Sequence, residues 1–489
     1  MKSREVFQET RYEKQHVITI RGERINFLSI AEDYVLSDDN GEVEASMFSY
    51  SYIRCVEETQ NARPVLFVWN GGPGGSVAIE NLSLFSPWRI RSPQGKTQPA
   101  LNPPFALEEN PNCLLDLCDL VLVDPVGTGY GTIQKESAYE KYCSVSGDAE
   151  VMADFIESWL TEHGRWNSPR YLCGTSYGTI RCARVLEALN GGAFRKNSFQ
   201  RSISVNGVIL IGQSLAVNAT ATSMLPEGVE PTLLLFRSMA AANAYHNKVA
   251  DDIEAYYQEA DRWAWATLPA VYEKLERGEL SEEESAAAAE QMAQYIGIPA
   301  PMLQQLGFKI PAAEMFAAVL LAGQGQDIGI YDSRMTLRQS DRIGLADPSG
   351  DDPAMSVYTP AVISVMNGFM KERLGIDFRR RYADVNFNVN MRWNWAYPET
   401  IMPEIPARDH AQCIAAAMRR NENMKVLFAT GMYDLCTWMG TNRYIAEQSG
   451  FAPERTVVRE YPAGHMVFLD TNAAEALAAD IRKLIAETR

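Results

Sequence analysis

Tyr171-Leu-Cys-Gly174-Thr175-Ser176-Tyr177-Gly178-Thr179 is the stretch on which the fold turns. The apolar run 171–173 reads as a short buried strand and residues 179–189 as a helix, so Ser176 stands on a strand–turn–helix junction. Gly174 and Gly178 flank it because a turn this tight leaves no room for a Cβ against either element. The serine hydroxyl is then exposed at the carboxyl end of a sheet. An ordinary Gly/Ser turn would carry the same five residues, so the surrounding chain has to decide between the two readings.

Working outward, residues 65–69, 120–123, 208–211 and 426–429 are likewise short, continuous apolar runs, with helical text such as 151–163 between them. Strands covered on both faces need apolar residues at every position, so this alternation predicts a mostly parallel α/β sheet. Residues 16–54 instead alternate apolar and polar about Asp38-Asp39-Asn40-Gly41, a hairpin signal that predicts antiparallel strands at the start. Between 211 and 426 the text is helical and acidic (254–268, 281–295), followed by a loop-rich stretch at 341–352 and without a clean buried-strand run. Strands resume at 426 and at 456–461, and 472–488 is an amphipathic helix. A length of 489 residues would ordinarily suggest several independent domains. The pattern divides the chain otherwise: residues 1–216 and 396–489 form the two parts of one sheet core, and 217–395 form a mainly helical insertion placed as a lid.

Composition narrows the function classes. Apolar residues at 46% and charged residues at 22% exclude disordered and fibrous chains. Forty-five basic against 62 acidic side chains give a net charge of −17, which repels phosphate backbones and anionic lipid surfaces, so neither nucleic acid nor membrane is expected as a partner. The stretch 315–322 is among the longest uncharged apolar runs, far short of the roughly 18–20 residues of a membrane span. Residues 1–13 are polar and charged with no apolar core of the kind a secretory leader carries, so a cytoplasmic protein is expected. Eight cysteines with no CxxC and no Cys/His cluster read as reduced, mostly buried thiols, with neither metal nor cofactor expected. The acidic surface restrains non-specific association but is compatible with a homodimer.

A serine hydroxyl needs a base, usually histidine. Of five histidines, His16 lies in the opening hairpin, His163 near a helix end, His246 in helical text and His410 near a helix start. Only His465, in Pro462-Ala463-Gly464-His465-Met466, lies in a loop after a strand and before a helix, where catalytic groups of open α/β folds collect. Asp434, in Gly431-Met432-Tyr433-Asp434 just past the strand 426–429, follows the chain order serine, acid, histidine of a catalytic triad in this fold. Asn70-Gly71-Gly72-Pro73-Gly74-Gly75-Ser76 follows the strand 65–69, and its glycines let backbone N–H groups converge on an oxyanion. It has neither the lysine of a P-loop nor the spacing of a dinucleotide fingerprint.

In order, Trp69-Asn-Gly-Gly-Pro-Gly74, Asp124-Pro-Val-Gly-Thr-Gly-Tyr130, Gly174-Thr-Ser-Tyr-Gly178, Asn206-Gly-Val-Ile-Leu-Ile-Gly212 and Ala463-Gly-His-Met466 resemble the blocks of the serine carboxypeptidases, the S10 peptidases. Tyr331-Asp-Ser-Arg334 and Arg392-Trp-Asn-Trp395 extend the likeness to its bacterial branch. The resemblance implies an α/β-hydrolase fold and a hydrolase that releases C-terminal residues from peptides through an acyl-enzyme. It implies Ser176 as nucleophile, His465 as base and Asp434 as orienting acid, with Gly72 and Tyr177 as backbone oxyanion donors. Asn70, with Gly71 and Thr175 beside it, takes the place that binds the substrate carboxylate. The family typically has glutamate before the nucleophile, paired with a second one downstream of the glycine block; this chain has Thr175 and, on an ungapped count, Leu84, with Glu80 still able to contribute. Gly75 stands where a disulfide-forming cysteine is common, and Cys436 reads as a buried thiol near the site. An acyltransferase, amide-forming enzyme or esterase would use the same triad on a small acyl substrate. A catalytically silent binding protein would keep the fold without the chemistry.

Overall fold

Three long antiparallel strands open the chain: β1 (Arg11–Ile20), β2 (Glu23–Ser37) and β3 (Val43–Arg54). The turn between β2 and β3 closes where the sequence placed it, with the Asp38 N–H donating to the Glu42 carbonyl at 2.9 Å. There follow β4 (Val65–Trp69), a separate antiparallel pair β5 (Trp88–Ile90) and β6 (Leu107–Glu109), then β7 (Asp119–Asp124), β8 (Thr132–Ile133), β9 (Arg170–Thr175) and β10 (Gly207–Ile211). A second small pair, β11 (Gln326–Ile328) and β12 (Thr336–Arg338), precedes β13 (Lys425–Gly431) and β14 (Thr456–Tyr461). The computed structural model describes residues 7–56, 62–93, 98–191, 200–341, 350–400, 402, 404 and 406–488. Of the stretches read from sequence, 1–6 of the polar opening and 342–349 of the loop 341–352 lie outside the described residues.

The main sheet runs β1-β2-β3-β7-β4-β9-β10-β13-β14, with β8 paired to β3. From β7 to β14 every neighbouring pair is parallel. This is the mixed α/β, mostly parallel architecture that the runs of apolar residues predicted. The reason is visible residue by residue. Leu66 and Val68 of β4, Leu120 and Leu122 of β7, and Ile209 and Ile211 of β10 pack into one apolar layer with the helix Thr471–Thr488. Their neighbours Phe67, Val121, Val123, Val208 and Leu210 pack into the opposite layer with the helices Val145–Glu162, Tyr177–Asn190 and His410–Arg420. No position on these strands is left for a polar residue facing water. Because the six strands are parallel, the glycine block, Ser176, Gly212, Asp434 and His465 all emerge along one edge.

The stretch between β10 and β13 enters more than one packing environment. Helices Pro231–Asn247, Ile253–Arg277 and Glu282–Ile296 form a third apolar cluster that also takes in Met432, Tyr433, Leu435 and Trp438, the residues around Asp434. Arg237 holds these helices to the sheet, with ion pairs to Asp261 at 2.9 Å and to Glu460 of β14 at 2.8 Å, and the Tyr257 hydroxyl donates to Glu460 at 2.9 Å. The helix Pro353–Val365 instead joins the main sheet's core through Ala361, Val362 and Val365. Strands β5, β6, β11 and β12 span three residues each, too short to show a period in the sequence.

Candidate active site

Ser176 follows β9 and precedes the helix Tyr177–Asn190 with φ 56° and ψ −125°, a backbone conformation that non-glycine residues rarely hold and that clusters at functional sites. Two bonds fix it: its N–H donates to the Ile211 carbonyl of β10 at 2.9 Å, and its own carbonyl accepts from the Thr179 N–H at 2.9 Å. The side chain is half-buried, and among the described residues its Oγ makes no hydrogen bond. The glycine block lies directly against this turn. A Cβ on Gly71 would stand 2.5 Å from the Tyr177 nitrogen and 2.9 Å from the Ser176 Cβ, so only glycine allows the approach. The contact is held by the Trp69 indole donating to the Gly178 carbonyl at 2.9 Å and by Arg181 donating to the Asn70 carbonyl at 2.5 Å. The N–H groups of Gly72 and Tyr177 donate to no other group among the described residues.

His465 and Asp434 meet as the chain order predicted. The His465 Nδ1 lies 2.8 Å from Asp434 Oδ2, with the acid fully buried and the imidazole 2% exposed. Asp434 Oδ1 accepts the N–H groups of Cys436 at 2.7 Å and Thr437 at 2.8 Å, which fixes the carboxylate plane. With Nδ1 turned to the acid as donor, Nε2 is the nitrogen left to take a proton. The ring rests on Gly212, the residue after Ile211: at φ +53° a Cβ there would lie 2.9 Å from His465 Cε1 and 2.9 Å from Thr437 Oγ1. Gly212→Ala is therefore expected to push the imidazole out of line and to lower kcat by about 100-fold, an effect of the size produced by ångström misplacements; kcat within twofold of wild type would contradict this. The other four histidines are engaged elsewhere: His16 with Ser29 at 2.9 Å, His246 with the Ser333 carbonyl at 2.6 Å, His410 with Arg184 at 2.9 Å, and His163 tilted against the Trp159 ring at 4.5 Å.

Three features of the site were not assigned from sequence. Thr437 Oγ1 donates to Asp434 Oδ2 at 2.5 Å and lies 3.1 Å from His465 Nδ1, joining the pair from a third side. The segment Tyr331–Arg334 clasps the loops that carry Asp434 and His465. The Tyr331 carbonyl accepts the His465 N–H at 2.7 Å, the Tyr433 carbonyl accepts the Ser333 N–H at 2.9 Å, and Arg334 donates to the Pro462 carbonyl at 2.9 Å and to Asp470 at 3.1 Å. The Arg334 guanidinium also covers the Tyr433 ring at 5.0 Å. Finally, residues 382–395 strap the glycine block. Ser76 N–H donates to the Asp384 carbonyl at 2.7 Å, Asn390 Nδ2 to the Pro73 carbonyl at 2.9 Å, and Trp393 and Trp395 pack edge-on against Tyr177. The Tyr331-Asp-Ser-Arg334 and Arg392-Trp-Asn-Trp395 blocks were the signal for both segments, although their roles needed the fold.

On the side expected to receive a substrate carboxylate, Asn70 is half-buried and its Oδ1 accepts the Gly71 N–H at 2.5 Å, so its amide nitrogen is the free donor. Thr175 is buried with its hydroxyl towards Glu80. Leu84 is packed into the main core and offers no charge. Cys436 is partly exposed, and its thiol is kept protonated by burial and by Asp434 beside it. All eight cysteines are free thiols.

Three likenesses to known proteins accompany this geometry. Residues 28–460 match the family described as "Serine carboxypeptidase". The "Serine carboxypeptidase-like 5" protein of Arabidopsis thaliana is 27% identical over 157 residues, 32% of this chain, and the chain spans about a third (34%) of that relative's length. The crystal structure of a prohormone-processing carboxypeptidase from Saccharomyces cerevisiae superposes with a TM-score of 0.53 at 12% identity, covering 93% of this chain and 91% of that one, a likeness of fold.

Proposed function

The chain belongs to the serine carboxypeptidase family, and from that premise we propose that it is a serine hydrolase that removes C-terminal residues from peptides through an acyl-enzyme on Ser176. The observation that carries this reading is the buried Asp434–His465 pair, 2.8 Å apart, on the same sheet edge as a serine held at positive φ against a glycine block.

In the first step the Ser176 Oγ attacks the scissile carbonyl while His465 Nε2 takes its proton. The negative oxygen of the tetrahedral intermediate accepts the N–H groups of Gly72 and Tyr177, which the loop and helix geometry has oriented beforehand. The imidazolium then gives its proton to the departing amine, and a water activated by the same imidazole releases the acyl group. Asp434 keeps Nδ1 protonated and balances the imidazolium charge, and Thr437 holds the acid in plane. Nothing in this sequence needs a group beyond the chain's own residues and water.

The Asn70 amide nitrogen is the donor for the terminal carboxylate. Asn70→Ala is expected to reduce the preference for a free over an amidated C-terminus by about tenfold, the value of one hydrogen bond to a charged group; competition between an N-blocked dipeptide and its amide measures this, and an unchanged ratio removes Asn70 from the role. Thr175 and Leu84 are uncharged where the resemblance led us to look for a carboxyl pair. Paired carboxyls hold activity at acid pH, so the expected optimum lies near neutrality, and an optimum below about pH 5 would contradict this. We place the protein in the cytoplasm, a reading supported by Gly75 at the position of a disulfide-forming cysteine and by the eight cysteines standing as free thiols. The test of the whole reading is product analysis with N-blocked dipeptides, in which a single free amino acid should appear.

A further inference from the structure

Directly behind the glycine block, the one-turn helix Ala78–Asn81 carries a carboxyl that the triad does not use. Glu80 is fully buried, forms no ion pair, and neither carboxyl oxygen has a hydrogen-bond partner among the described residues. The Thr175 hydroxyl, also buried and without a hydrogen-bond partner among the described residues, lies beside it on β9. Asp124 of β7 and Asp384 of the strap add like charge rather than relief, and Cys173 of β9 lies on the same side. Burial, reinforced by those two acids, pushes the Glu80 carboxyl up to about 8, and burial pushes Asp124 up to about 7.

The location gives this acid a consequence. Asp384 accepts the Ser76 hydroxyl at 2.8 Å, and Asp124 accepts the Val77 N–H at 2.9 Å together with the hydroxyls of Tyr50 and Tyr382. The peptide between the oxyanion loop and Glu80 is thus pinned at both residues. Glu80 and the hydroxyl of Thr175, the residue immediately before the nucleophile, are thus two polar groups buried side by side, neither with a hydrogen-bond partner among the described residues. A neutral carboxylic acid next to a hydroxyl can turn its own proton towards it in this apolar setting at little cost, whereas a carboxylate with two acids around it and no cation cannot stay buried.

Resting on the hydrolase reading above, we propose that Glu80 is a positioning residue: uncharged, it couples the oxyanion loop to the nucleophile turn through Thr175, and its ionisation releases that coupling and sets the alkaline limit of activity. This role acts on the protein's own turn and is separate from recognition of the substrate carboxylate.

The experiment compares wild type, Glu80→Gln and Glu80→Leu for kcat/KM on an N-blocked dipeptide from pH 6 to 10, alongside their melting temperatures from pH 4 to 9. Wild-type kcat/KM is expected to fall about tenfold per unit above about pH 8, as for a single ionisation. Glu80→Gln should stay level to about pH 9.5, and Glu80→Leu should be lower throughout but equally level. A raised folded-state pKa means that the stability present below the unfolded value, near 4.5, is lost progressively as pH rises to about 8. The melting temperature of Glu80→Gln should therefore gain on wild type across that window and keep pace beyond it. A level wild-type profile, the same alkaline limb in Glu80→Gln, or a melting difference that does not change with pH each overturns the role of Glu80 while leaving the hydrolase reading standing. Absence of both hydrolysis and fluorophosphonate labelling of Ser176 in wild type overturns the hydrolase reading, and this role with it.

Discussion

Replacing Ser176 by alanine is expected to lower kcat by about 10⁶-fold, the usual scale for losing the nucleophile of such a triad, while the protein melts within about 2 °C of wild type. The two halves of this expectation have separate physical grounds. The loss is large because the covalent route disappears and the oxyanion donors and bound substrate alone retain only a residual acceleration. The fold survives because the serine side chain is half-buried, its Oγ bonds to no group among the described residues, and alanine meets the same positive φ that serine already tolerates. Hydrolysis by Ser176→Ala at the wild-type rate would remove Ser176 from the mechanism.

Asp434→Asn is the second large effect, about 10⁴-fold in kcat. The carboxylate now accepts from three sources besides histidine: the Cys436 and Thr437 N–H groups on one oxygen and the Thr437 hydroxyl on the other. Those N–H bonds keep the asparagine oxygen where Oδ1 stands, which turns the amide nitrogen towards His465 Nδ1. The imidazole is then driven to the tautomer with hydrogen on Nε2 and can no longer take the serine proton. Geometry is preserved and chemistry is lost, so circular dichroism and melting should match wild type. A loss below about tenfold would mean that His465 does not depend on Asp434 for its tautomer.

Much of this was legible in the sequence because burial on both faces of the sheet leaves an unmistakable trace. The runs 65–69, 120–123, 208–211 and 426–429 could be read as parallel strands with no knowledge of their neighbours. Strand order then fixed the edge on which Ser176, Asp434 and His465 had to lie. Thr437 was not legible: a threonine three residues past an aspartate is commonplace, and its value comes from a histidine loop 28 residues further on. Arg334 was seen only as part of a block, since what it clasps lies more than a hundred residues away, at Pro462. Glu80 was noticed for its charge, but the lack of a hydrogen-bond partner among the described residues, which makes it consequential, is a property of packing alone. The helices after Pro231 show the same limit. The helical, acidic text at 254–268 and 281–295 predicted two of them, while the choice to pack around Met432 and Tyr433 belongs to tertiary contacts that no local period records.

The central claim is that Ser176 carries the acyl group during turnover, and rapid acid quenching of the enzyme with an N-blocked dipeptide ester, followed by mass spectrometry of its peptides, tests it most directly. The account predicts a mass increase equal to the blocked acyl group on the peptide containing Ser176, absent from Ser176→Ala. Steady turnover of the ester with no acyl group on that peptide, or with the group on another residue, would contradict it.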